Sequence, residues 1–341
     1  MPKRLGNKLG NVAYRHAFEA KEGTVNNPLN LPLARSAVDR DYLQRKNPDL
    51  FDDLWANELT RVLPMHQGKI LLRQSDHHNI PQLKLFEVQE VSSATLRVYL
   101  GISTEASGAE PAGTPIVLAV LSDSAANQLE PDESAWMSLR RNGAGLSDRD
   151  AGLYAQALSI ANWHESHGRC SKCGTPTVVI DGGWVRTCSA DEKEFYPRTD
   201  PAIIAAITDD QDRILLGSQG IWEENRWSVL AGFVEPGESL AAAVEREIFE
   251  EAGVRVSDVE YLASQSWPFP YSLMVGFKAR VRGEQELVPD LLEIEKLRWF
   301  SRDEIAADVQ NILLPSRLSI ARALIENWFG GELVSASELK G

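Results

Sequence analysis

Cysteine is scarce in this 341-residue chain: Cys170, Cys173 and Cys188, all in one short stretch. An odd, clustered set does not make a disulfide framework, and in a cytosolic chain it is more often a metal site. Long apolar runs are missing as well. Nothing approaches the roughly 18 uninterrupted apolar residues that a membrane span requires. Positive charge is in deficit, with 35 Lys and Arg against 49 Asp and Glu and a formal net charge of −14. Such a surface repels phosphate backbones, which excludes general nucleic-acid coating but not a local basic cleft for one nucleotide. The opening MPKRLGNKLGNVAYRH has basic residues without an apolar segment behind them, and the closing ELKG is no peroxisomal or ER address. A cytoplasmic location is the expectation. His16, His66, His77 and His78 are scattered and read as solvated surface residues.

What is present suits a globular protein: 43% apolar and 25% charged residues. The length predicts about two domains and a small module. Residues 1–165 read as an α+β N-terminal domain, with strands at Lys69–Leu72, Leu96–Leu100 and Ile116–Leu121. A helix is expected from Arg149 to about His164, capped by Ser147 or Asp148. Residues 166–198 hold the cysteines among glycines and are too short to fold on an apolar core alone, so a metal staple is expected. Residues 199–335 read as a mixed sheet covered by helices. A hairpin is expected at Ala202–Thr208 and Arg213–Gly217, and strands at Trp227–Leu230, Ser272–Val281 and Leu297–Phe300. Helices are expected at Ser239–Ala252, ended by Gly253, and at Arg317–Phe329.

The helix Ser239–Ala252 carries the strongest chemical signal. Leu240, Ala243, Val244 and Ile248 mark an apolar face, and Glu247, Glu250 and Glu251 turn its last two turns acidic. Like charges at i,i+3 and i,i+4 repel, and the helix C-terminus disfavours anions. A hard divalent cation with oxygen ligands compensates this, and Mg²⁺ or Mn²⁺ fits best; the bland alternative is a solvated acidic helix end.

The surrounding residues decide between these. Gly232-x5-Glu238-x7-Arg246-Glu247-Ile248-x-Glu250-Glu251-x-Gly253-Val254 resembles the Nudix signature at every fixed position. The resemblance implies an α/β/α sandwich and hydrolysis of a nucleoside diphosphate linked to another moiety. It implies that Glu247, Glu250 and Glu251 hold the cation that neutralises the diphosphate and prepares water for in-line attack. Arg246 is expected to orient a carboxylate bidentately, and Glu238 to fix the loop. A further acidic ligand or base is expected from a later segment: Glu293, with Glu295 as the alternative.

A second string, Ser264-Gln265-Ser266-Trp267-Pro268-Phe269-Pro270-Tyr271-Ser272, reads as a rigid apolar loop, either a core-covering turn or a wall for a flat ring. It is similar to the SQPWPFPxS motif of NADH pyrophosphatases within the Nudix family, with Ser266 where Pro is usual. The resemblance implies cleavage of NAD(H) to nicotinamide mononucleotide and AMP. Gln265, Trp267, Phe269 and Ser272 then become pocket residues, together with Ala321. Phe233 matches one member of an aromatic pair around the nicotinamide. Tyr196 matches the other, which the family supplies from the partner subunit of a homodimer.

The family's four-cysteine zinc ribbon is matched by Cys170-x2-Cys173-x14-Cys188, but its fourth position is Asp191. A Cys3Asp Zn²⁺ site, a site completed by His167, and a ribbon without metal all stay open. Three other functions stay open beside NAD(H) hydrolysis: removal of an NAD cap from RNA 5′ ends, a broad ADP-ribose or dinucleotide pyrophosphatase, and a non-catalytic NAD sensor.

Overall fold

The computed structural model describes Leu29 and residues 31–74, 80–308 and 311–334. His16, His77, His78 and both terminal segments considered for targeting lie outside the described residues.

The N-terminal part is built on an eight-stranded mixed sheet. Its strands are β1 Val38–Asp39, β2 Arg61–His66, β3 Lys69–Gln74, β4 Pro81–Leu83, β5 Phe86–Glu87, β6 Leu96–Ser103, β7 Pro115–Val120 and β8 Trp136–Met137. The main order is β1-β6-β7-β2-β3-β4, with β5 against β2, β8 against β3, and β2 parallel to β7. Helices α1 Leu50–Ala56, α2 Asp123–Leu129, α3 Leu139–Asn142 and α4 Asp148–Ser166 complete it. Alternation along β2 sends Leu63 and Met65 into a core with Leu153, Tyr154, Ala157 and Trp163 of α4. Val62 faces the opposite core with Ala125 and Ala126 of α2. The Ser147 hydroxyl caps α4 by accepting from the Asp150 N–H at 3.2 Å. The buried Arg149 and Asp150 pair at 2.7 Å, and Asp150 also accepts the Leu83 N–H at 2.8 Å, so α4 is tied to β4.

The middle segment is a three-stranded antiparallel sheet of β9 Thr177–Ile180, β10 Val185–Cys188 and β11 Glu194–Phe195. It is joined to α4 through the buried His164. The ring Nε2 lies 2.8 Å from the Gly183 carbonyl, and Arg186 Nη1 lies 2.8 Å from Nδ1. His66 is half-buried rather than solvated, because its ring lies edge-on to Trp136.

The C-terminal part has strands β12 Asp200–Thr208, β13 Ile214–Ser218, β14 Leu230–Phe233, β15 Val256–Trp267, β16 Ser272–Val281 and β17 Lys296–Phe300. Its helices are α5 Leu240–Ala252, α6 Arg302–Asp308 and α7 Ile320–Phe329. The sheet order is β15-β16-β12-β13-β17 with β14 against β12; β12 runs parallel to β16 and the other pairs are antiparallel. Along β12, Ile203, Ala205 and Ile207 pack with Ala243, Val244 and Ile248 of α5. Ile204 and Ala206 pack with Ala321, Leu324 and Ile325 of α7. Two apolar faces on one central strand make the α/β/α sandwich. Leu29 and Leu31, early in the chain, sit in the α7-side core.

Three local expectations are corrected. The strand expected at Trp227–Leu230 forms at Leu230–Phe233, because Trp227 turns into the α7-side core and its N–H bonds the Leu313 carbonyl at 3.0 Å. The last helix starts at Ile320, where the Ser319 hydroxyl accepts the Ala321 N–H. The presumed loop Ser264–Ser272 is mostly hairpin: Ser264–Trp267 belong to β15, and Trp267 pairs with Ser272. Among the described residues no helix is long and apolar enough to cross a membrane.

Burial, with Arg186 adding to it, lowers the His164 pKa from 6.5 to about 4. In the window between these values the unfolded chain takes up a proton that the folded one refuses. The stability from this joint is therefore complete above 6.5 and is lost as pH falls toward 4. Thermal unfolding of wild type and His164→Gln between pH 7 and 4.5 should show the wild type losing Tm faster on acidification; parallel curves would refute the buried neutral ring.

Candidate active site

Helix α5 is placed by its two ends. The Ser239 hydroxyl accepts the Ala242 N–H at its start, and Gly253 takes φ 72° at its end. Ala243, Val244, Ile248 and Ala252 bury the stripe that faces the sheet. Leu240 lies on the same stripe but at the first turn, where it stays exposed. Glu247 and Glu251 continue that stripe, so burial of the apolar residues carries both carboxylates inward.

Arg246 organises the acidic groups. It makes a bidentate pair with Glu238, Nε to Oε2 at 3.1 Å and Nη2 to Oε1 at 2.5 Å. It also donates to the Phe233 carbonyl at 2.9 Å and lies 2.9 Å from both Glu247 and Glu250. Glu238 in turn accepts the Glu235 N–H at 2.7 Å and closes the loop before the helix. Pairing with Arg246 and then the Glu235 N–H hold the Glu238 carboxyl below its ordinary value.

Gly232 leaves room for Glu247. A Cβ there would lie 2.0–2.4 Å from the carboxylate atoms of Glu247. β14 thus supplies a gap into which Glu247 fits.

Glu251 is 5% exposed, and its Oε2 has no hydrogen-bond partner. Burial, then the charges of Glu247, Glu293, Asp290 and Glu250, push its pKa up to about 8. Burial also raises Glu247, with Glu250 and Glu293 adding to it against Arg246. An orphaned carboxylate oxygen facing four like charges fits a divalent cation. Glu293 is among the charges that raise both Glu247 and Glu251. Asp290 was missed by sequence reasoning, since it lies outside any motif. It accepts the Glu293 and Ile294 N–H groups and shapes the turn that carries Glu293.

Beside Glu251 opens a cavity of about 210 Å³. Trp267 and Ala321 line it, with Trp222, Ile204 and Met274. The other expected pocket residues sit elsewhere. Gln265 is buried and donates to the Leu318 carbonyl at 3.0 Å. Phe269 packs toward the N-terminal core, and Ser272 lines a separate cavity of about 310 Å³ with Arg35, Arg198 and Trp184. Phe233 and Tyr196 are both exposed, with neither ring used in a core.

In the ribbon, the Cys170, Cys173 and Cys188 sulfurs all lie within 4.8 Å of one another. A hydrogen bond with Cys188, then the Lys193 N–H, hold the Asp191 carboxyl below its usual value, so Asp191 sits beside Cys188 at the edge of the three-sulfur cluster. His167 is engaged with α4 instead: Nδ1 is 2.9 Å from Ser166 Oγ and 3.2 Å from the Trp163 carbonyl. Three sulfurs and an adjacent carboxylate fit zinc.

The sandwich and its acidic helix are those of a Nudix hydrolase domain, and the family model described as "NUDIX domain" matches residues 198–318. "NADH pyrophosphatase-like rudimentary NUDIX domain" matches residues 59–163, and "NADH pyrophosphatase zinc ribbon domain" matches 165–196. The chain is 38% identical over 217 residues to "NAD-capped RNA hydrolase NudC" of Pseudomonas syringae pv. tomato, covering 63% of this chain and 73% of that protein. It is 41% identical over 202 residues to the Mycobacterium tuberculosis protein of the same name, covering 56% of this chain and 64% of that one. It is 39% identical over 198 residues to "NAD-capped RNA hydrolase NUDT12" of Macaca fascicularis, covering 54% and 42%. The match thus spans just under two thirds of the mycobacterial relative's length. The chain belongs to the NADH pyrophosphatase family of Nudix hydrolases.

Gly232→Ala should expel Glu247 from its gap. The expected result is loss of the Tm increase that Mn²⁺ gives the wild type, with the circular dichroism spectrum kept. An undiminished Mn²⁺ shift would show that Glu247 takes no part in cation binding.

Proposed function

We propose that the chain is a metal-dependent NAD(H) pyrophosphatase that yields nicotinamide mononucleotide and AMP. The observation that carries this is Glu251: a buried carboxylate with an unpartnered oxygen, at the edge of a cavity walled by Trp267 and Ala321. Glu247, Glu250 and Glu251 would hold Mg²⁺ or Mn²⁺. Such an ion, when bound, neutralises the diphosphate and lowers the pKa of water. Arg246, 2.9 Å from both Glu247 and Glu250, offsets the repulsion between them. Glu293, exposed on its turn, takes the proton of the attacking water. The water adds to one phosphorus, the bridging P–O bond breaks, and the other phosphate leaves.

Phe233 offers an exposed ring beside the acidic helix for the nicotinamide. The second ring of the sandwich is the partner subunit's Tyr196, so the enzyme acts as a homodimer. Exposure of both rings supports this reading, since neither is needed for a core. A cytoplasmic location suits three free thiols gathered for a metal. The relatives' names favour a second substrate, NAD-capped RNA, in which the same bond is cut.

Purified protein with Mg²⁺ or Mn²⁺ should convert NADH, NAD⁺ and NAD-capped RNA, releasing nicotinamide mononucleotide, with ADP-ribose the poorer substrate. Glu250→Gln and Glu251→Gln should each lower kcat by about 100-fold or more while folding is kept. Near-normal turnover in both would overturn the site. Preference for ADP-ribose would leave the hydrolase and remove the nicotinamide assignment.

In the ribbon, Cys170, Cys173, Cys188 and Asp191 would hold one structural Zn²⁺. Metal analysis after chelator dialysis should find one zinc per chain in wild type, less in Asp191→Ala, and tighter retention in Asp191→Cys. Equal retention in all three would exclude Asp191 as a ligand.

A further inference from the structure

The tip of the β15–β16 hairpin is short of hydrogen-bond donors. Its four residues are Pro268, Phe269, Pro270 and Tyr271, and the two prolines bring carbonyls but no N–H. The last cross-strand pair is Trp267 with Ser272, so the ladder ends below the tip. Both proline carbonyls find their donor in one side chain from the other domain. Asn162 of α4 gives its two Nδ2 hydrogens to Pro268 O at 3.2 Å and to Pro270 O at 2.8 Å. An amide NH₂ has two hydrogens, and this one uses both on the tip.

The surrounding contacts converge on the same tip. The His167 ring of the α4 C-cap lies edge-on to Tyr271 at 6.3 Å. Trp267 and Phe269 pack edge to face at 4.9 Å and both rest against the N-terminal core. Arg140 stands over the Phe269 ring at 3.8 Å. The Trp267 side chain has a second role, because it also lines the cavity beside Glu251. One indole is therefore shared between the N-terminal core and the wall of the substrate cavity.

We propose that Asn162 is a positioning residue: from the N-terminal domain it sets the angle of the Trp-Pro-Phe-Pro turn, and through it the place of Trp267 in the substrate cavity. The inference rests on the pyrophosphatase reading for its kinetic consequence, but not for its structural one. Asn162 is half-buried, and its side-chain hydrogen bonds go to the hairpin tip and not to the acidic helix. Its loss should weaken substrate binding without disturbing the carboxylates that carry the chemistry.

Asn162→Leu keeps the size and removes both donors. With NADH and Mn²⁺ its KM should rise about tenfold and kcat should stay within about twofold of wild type. Asn162→Gln, which restores a donor, should bring KM back to within about threefold. Hydrogen exchange of the full-length protein supplies a readout independent of substrate. In the Leu variant, amides of the segment 264–273 should exchange about tenfold faster, with α5 unchanged. Unaltered exchange at the tip, or a fall in kcat with unaltered KM, overturns the proposal. If the wild type cleaves no dinucleotide, the pyrophosphatase reading fails alone, and the exchange result still decides the role of Asn162.

Discussion

The C-terminal domain depends on one electrostatic constraint: several carboxylates must share the end of a helix that also has to pack. Glu247 and Glu251 lie on the stripe that Ala243, Val244 and Ile248 bury, so packing of α5 drives negative charge toward the sheet. Arg246 answers part of this by touching Glu238, Glu247 and Glu250 at once. Gly232 answers another part by leaving room for the Glu247 carboxylate. Glu251 receives neither form of relief, and burial and its neighbours raise its proton affinity. The fold therefore keeps one buried carboxylate with a raised proton affinity, the property on which the proposed cation site rests.

Legibility in the sequence followed how local each signal is. Helix α5 and its Gly253 terminus were readable because capping and periodicity act within a few residues, and the structure adds the Ser239 cap. The strand Ser272–Val281 was readable for the same reason, being apolar and β-branched between turn residues. β15 was read in part as a loop because its Pro-rich end hides a strand whose pairing with β16 is set by register, not propensity. Trp227 was assigned to a strand on its own preference, but tertiary burial against Phe300 won. In the site, Glu247, Glu250 and Glu251 were read from a motif, whereas Asp290 was not read at all. Asp290 acts through backbone amides of its own turn, and Asn162 through carbonyls over 100 residues away; neither leaves a pattern in one sequence.

The three parts of the chain are also less separate than their sequence signals suggest. His164 of the N-terminal helix bonds the ribbon, Asn162 and Arg140 hold the hairpin of the catalytic domain, and Leu318 joins the N-terminal core. Helix α4 supplies His164 and Asn162, and α3 supplies Arg140. Helix α4 is buried on most sides, with Arg149 and Asp150 among its buried residues, so it behaves as a rigid axle on which ribbon and hairpin are mounted. A rigid axle lets a domain without its own catalytic constellation fix the shape of a distant cavity.

Leu29 and Leu31 pack into the core that α7 closes, beside Ile320, Leu324 and Ile325. These partners come from opposite ends of the described chain. During synthesis the leucines emerge long before the helix that will cover them, and their apolar surface stays uncovered until nearly everything else has been made. Pairings of such wide sequence separation close late, since the entropy of the intervening loop must be overcome first. The same packing backs the wall that bears Ala321. A chain that has not closed this contact lacks part of the backing of the cavity beside Glu251.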